Sequence, residues 1–155
     1  MKSMVKREIT FAYDEHVDMI QQLVLDAYAM RIEGGRQGLY RDDCVIYRVL
    51  RQTGHSEALK LLLSDNWKTK HGLVTHGLFM NNALGNLLLG GHVPESTWST
   101  INDFENTSKL KLNKDTSIIL VSDVLHSGRE MDRAWDAIDN NLHLLPNLKL
   151  VVYLG

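Results

Sequence analysis

The sequence predicts an α/β fold, a mostly parallel sheet with flanking helices, in which the N-terminal part is largely helical. Three observations carry this expectation. Residues 118–121 (IILV) form an unbroken apolar, β-branched run, the pattern of a strand buried on both faces of a parallel sheet. Residues 130–140 place Met131, Ala134, Trp135 and Ile138 on one face of an amphipathic helix. After Pro146 breaks the chain, residues 148–154 return to an apolar run. Strand, helix and strand at this spacing make a crossover unit with parallel strands.

The rest of the chain is read in order. Ile9, Phe11 and Tyr13 alternate with polar or small residues, as in a short strand. Asp14 offers an N-cap, and Val17, Ile20, Val24 and Ala27 recur at helical spacing through Arg31. Gly34 and Gly35 stop that helix. Asp42 or Asp43 can cap a second helix to about Gln52, and Ser56 can start a third that ends near Leu63. Residues 71–76 (HGLVTH) are expected to form a strand ended by Gly77, and residues 78–89 a helix closed by Gly90 and Gly91. Residues 93–112 are polar and are expected to hold one strand and a loop.

The 155 residues are enough for one domain with its own core, and no repeat or linker divides them. A composition 44% hydrophobic and 23% charged excludes a fibre or a disordered chain. The net charge of -2 argues against a general nucleic-acid binder, which carries a basic face. The single cysteine, Cys44, excludes an intrachain disulfide and a four-cysteine zinc site. With no apolar run of membrane-span length and no secretory h-region, a cytoplasmic protein is expected.

The strongest chemical signal is the loop 122–130 (SDVLHSGRE). In open parallel sheets, ligands bind beyond the carboxyl ends of strands, beside helix N-termini. Asp123 ends the strand and can accept hydrogen bonds from ribose hydroxyls. Ser127 offers a hydroxyl, and Gly128 lets the backbone approach a phosphate. Arg129 adds a cation if it turns inward. The helix that follows presents free N–H groups to an anion.

The segment IILVSDVLHSGRE followed by MDRAWDAI resembles the phosphoribosyl-diphosphate motif of type I phosphoribosyltransferases. It looks most like the uracil phosphoribosyltransferase and pyrimidine-regulator branch. Residues 118–121 match the apolar run of that motif, Asp123 its second acid, and Ser127 and Gly128 its phosphate cradle. Ser122 stands where the first acid is expected, and Glu130 where a hydroxyl usually touches the phosphate. The resemblance covers roughly the C-terminal quarter of the chain. It implies a ribose-phosphate or nucleotide ligand, magnesium as cofactor, and transfer of a phosphoribosyl group to a base. A homo-oligomer is compatible with it. It also implies a diphosphate-binding loop after an earlier strand, for which Thr75, His76 and Gly77 are the candidates.

Two other readings stand beside this one. His76, at the end of an apolar run and next to a glycine, suits a phosphoryl-transfer or phosphatase-type site, because a neutral imidazole is nucleophilic near pH 7. A non-catalytic binding or regulatory protein is the third reading, in which Asp123 and Gly128 only shape a turn. Seven histidines raise a metal site, but none are four apart as on a zinc-binding helix, so no metal site is expected. The cluster of Arg31, Glu33, Arg36, Tyr40, Arg41, Asp42 and Asp43 around glycines is either a solvated loop or a clamp for an anion.

Overall fold

The structure is a computed structural model, and it describes residues 13–34, 44–47, 55–89, 93, 97–106, 112–122 and 128–154. The elements run α1 (Tyr13–Glu33), β1 (Val45–Tyr47), α2 (His55–Leu62), α3 (Asp65–His71), β2 (Val74–Phe79) and α4 (Asn82–Leu89). They continue with β3 (Trp98–Thr100), α5 (Ile101–Glu105), β4 (Thr116–Ser122), α6 (Gly128–Asp139) and β5 (Leu150–Leu154). A 3-10 turn at Leu142–Leu144 leads into β5.

All five strands are parallel, in the order β1-β5-β4-β2-β3. The predicted C-terminal unit is present: Ile118 pairs with Leu150 and Val121 with Tyr153. Side chains alternate across β4 and β5. Ile119, Val121, Val151 and Tyr153 face one core with α5 and α6. Ile118, Leu120, Leu150 and Val152 face a second core with α1, α2 and α3. Burial on both faces is why these strands read as unbroken apolar runs. Met131, Ala134, Trp135 and Ile138 do form the inner face of α6, with Ala134 and Ile138 fully buried.

Several local expectations are corrected. The second predicted helix contains a strand: Val45, Ile46 and Tyr47 pair with Val152, Tyr153 and Leu154. These β-branched and aromatic residues complete the sheet edge, and that pairing overrides the helical spacing. His71 closes α3 and Gly72 caps it in the left-handed conformation at φ 65°, its N–H donating to Lys68 O at 2.8 Å. The strand therefore starts three residues later than predicted, at Val74, and runs through Gly77 to Phe79. Helix α4 starts correspondingly late, at Asn82. The polar stretch before β4 holds a strand, as expected, and also helix α5, whose start is fixed by a reciprocal capping box between Thr100 and Asp103. The expected strand at residues 9–13 lies outside the described residues except Tyr13, which begins α1. The glycine-rich cluster from Arg36 to Asp43 also lies outside them.

Candidate functional site

The chain leaves β2 in one direction, to β3 at the edge, and β4 in the other, to β5. Adjacent strands whose connections diverge in this way define a topological switch point, and the crevice beyond their carboxyl ends is where open α/β sheets bind ligands. The helices that follow the two strands sit on opposite faces. Helix α4 buries Leu89 in the core with α1, while α6 buries Trp135 and Ile138 in the other. The N-termini of α4 and α6 thus flank the crevice between the ends of β2 and β4, one on each side.

Helix α6, which follows the predicted loop in the sequence, starts at this point. Gly128 and Arg129 are exposed in the first turn of α6. A Cβ built on Gly128 would meet no atom of the described residues within 4 Å. Asp123 and Ser127 lie outside the described residues. Glu130, the third residue of the helix, occupies the position where a carboxylate satisfies and stabilises a helix start. In the sequence, Ser127 and Glu130 have the spacing of a capping box. Ser122 is fully buried, and its Oγ has no hydrogen bond among the described residues. By strand alternation it lies on the Ile118 and Leu120 side of the sheet. A carboxylate there would be stripped of water, and a hydroxyl is far cheaper to bury.

Thr75, His76 and Gly77 do not form a loop at the carboxyl end. All three lie inside β2, paired with Ile118, Ile119 and Leu120. The loop that follows β2 at the switch point is Met80 and Asn81, with Asn82 opening α4. Sequence reasoning missed it because the strand was ended at Gly77. The signal that could have found it is the unbroken apolar step through Leu78 and Phe79 before the paired asparagines.

Thr75 Oγ1 donates to Leu62 O and ties β2 to the end of α2. His76 is buried on the opposite face, with Nε2 2.8 Å from Ser99 Oγ and its ring 6.1 Å from that of Phe104. Burial pushes the imidazole down from 6.5 to about 4, partly opposed by the Asp103 carboxylate. It is therefore neutral at pH 7 and hydrogen-bonded to Ser99. His76 also lines a cavity of about 510 Å³ at the opposite, amino end of the strands, together with Ser64, Lys68, Thr75, Asn113 and Thr116. The ladder between β2 and β4 shifts register there, between Val74 and Thr75.

A second cavity, of about 390 Å³, opens at the β3 edge and is lined by Asn82, Asn86, Trp98 and Asp103. Among the described residues, no group of three or more His, Cys, Asp or Glu side chains could hold a metal ion. No described helix is long and apolar enough to cross a membrane. Compared with protein-family models, curated proteins and solved structures, the chain matches none.

Proposed function

We propose that the chain is a phosphoribosyltransferase-like protein that binds a ribose-phosphate or nucleotide ligand in the crevice between the ends of β2 and β4. The observation that carries this reading is the position of the Gly128 turn. It opens a helix at the switch point of a parallel sheet, and a Cβ there would meet no described atom within 4 Å. The free N–H groups of the first turn of α6 take the phosphate, and Arg129 adds a charge-assisted contact. Asp123 holds the sugar hydroxyls. The start of α4 offers a second set of N–H groups across the crevice, suited to a second phosphate.

Transfer of the phosphoribosyl group to a base is the activity that follows if the site turns over. Catalysis would then be positional and electrostatic, the chain orienting the sugar while diphosphate leaves. Magnesium, which the resemblance implies, is commonly held by one or two carboxylates and the ligand's own phosphates. Asp123 is the carboxylate that would face it, and the ion would neutralise phosphate charge.

A second reading, a phosphoryl-transfer centre at His76, is supported by one observation. The imidazole is held neutral beside Ser99 and borders the amino-end cavity. The two readings put the ligand at opposite ends of the same strands, so one experiment separates them. Ribose 5-phosphate is titrated into the labelled protein while backbone amide resonances are followed. Shifts at Gly128, Arg129, Asn82 and Ala83 support the switch-point site. Shifts confined to Lys68, Thr75 and His76 move the function to the amino end.

A further inference from the structure

We infer that the cavity at the β3 edge is a subsite for a heterocyclic base bearing an exocyclic amino group. This inference rests on the proposed ribose-phosphate site. Asn82 and Asn86 are four apart on α4, so their carboxamides project from one face of the helix, and both are exposed. Neither side chain has a hydrogen-bond partner among the described residues. Asp103 faces them from the first turn of α5. One of its oxygens, Oδ2, accepts from Thr100 N in the capping box, and the residue lines the cavity.

Trp98 makes the wall, and it is held rigidly. Its ring meets Phe79 edge-on, with centroids 5.5 Å apart, and lies directly against Gly85 of α4. The cavity therefore combines a fixed aromatic wall, two groups that each donate and accept, and one carboxylate that only accepts. A carboxamide pairs with the amino and ring-nitrogen edge of adenine, and a carboxylate accepts from an exocyclic amine. A keto-edged base such as uracil offers Asp103 no exocyclic donor and sets its carbonyl oxygens against the carboxylate.

Position supports the same assignment. β3 lies two strands from β4, roughly 10 Å at the usual strand spacing. A nucleotide anchored by its phosphate at the α6 turn can cross the end of β2 and reach this cavity with its base. The volume of about 390 Å³ accommodates a purine ring with water around it.

The test is calorimetric titration of the full chain with ribose 5-phosphate, adenosine 5'-monophosphate and uridine 5'-monophosphate. The same three ligands are then titrated into Asn86→Ala, a change at an exposed position whose folding is checked by thermal melting. The expected result is that the adenine nucleotide binds native protein about tenfold tighter than the other two, roughly the gain of one good carboxamide–base pair. Asn86→Ala should erase that preference and leave ribose 5-phosphate affinity unchanged. If ribose 5-phosphate binds but the adenine nucleotide has no advantage, or keeps it in Asn86→Ala, the subsite is refuted and the phosphate site stands. If none of the three binds, both fall.

Discussion

His76 Nε2 lies 2.8 Å from Ser99 Oγ across the β2–β3 pair, and both side chains are buried. The bond satisfies an imidazole that would otherwise be an unpaired polar group in the core. Burial strips water from the charged ring, so folding disfavours protonation, partly opposed by the Asp103 carboxylate. The unfolded chain takes up a proton near 6.5, the folded chain only near 4. Stability from this residue is complete above pH 6.5 and is lost as the pH falls towards 4. The difference corresponds to roughly 3 kcal/mol. Urea denaturation at pH 7.5 and pH 4.5 should register most of this loss in native protein and much less in His76→Gln. Equal losses in the two proteins would mean that other groups set the acid sensitivity.

Gly85 and Trp98 set how closely α4 approaches the sheet. A methyl group at position 85 would overlap the six-membered ring of the indole. In an exposed helix, Gly→Ala stabilises by roughly 1 kcal/mol. Here the sign should reverse, with Gly85→Ala costing about 1–3 kcal/mol through overpacking. Thermal melting beside Gly128→Ala, where the added methyl meets no described atom within 4 Å, checks the contrast. A raised melting temperature for Gly85→Ala would contradict the packing described.

Trp135 is 8% exposed and packs with Ala134, Ile138 and the sheet residues Ile119 and Val121. Trp135→Ala should cost roughly 3–5 kcal/mol. Retention of near-native denaturation midpoints would show the ring to be dispensable.

The C-terminal unit was legible because both faces of β4 and β5 are buried, so their apolar runs depend little on context. The amphipathic face of α6 was legible for the complementary reason, being half in the core and half in water. β1 was not, because its three residues are a strand only by virtue of pairing with β5, a contact more than a hundred residues away in the chain. β2 was misplaced because Gly77 looked like a terminator. Its missing side chain instead serves close packing, since a Cβ there would sit 3.1 Å from Leu63 and Phe79 and 3.2 Å from Trp98. The helix after β4 was expected from Glu130 and starts two residues earlier, at Gly128. The cavity formed by Asn82, Asn86 and Asp103 was not legible, because it joins two helices on opposite faces of the sheet.

Glu130 is predicted to oppose the phosphate that Gly128 and Arg129 attract. Glu130→Gln keeps the hydrogen-bonding shape of the third helical position while removing the charge. It should tighten phosphoribosyl diphosphate binding several-fold, about the effect of one half-buried like charge at this range. Weaker binding in Glu130→Gln would mean that the carboxylate contributes to the site, through a bound cation or a sugar hydroxyl.

The anion site itself is tested most directly at Gly128. The full chain and Gly128→Val are titrated calorimetrically with phosphoribosyl diphosphate in the presence of magnesium. A Cβ at this position meets no atom of the described residues within 4 Å, so the variant is expected to fold and melt as the native chain does. The same side chain occupies the space in which a phosphate must approach the backbone. Native protein should bind at or below millimolar concentration, and Gly128→Val should lose binding at least tenfold with an unchanged melting temperature. No binding by native protein at millimolar ligand, or equal binding by the two proteins, would contradict the ribose-phosphate reading and leave Gly128 as a turn residue alone.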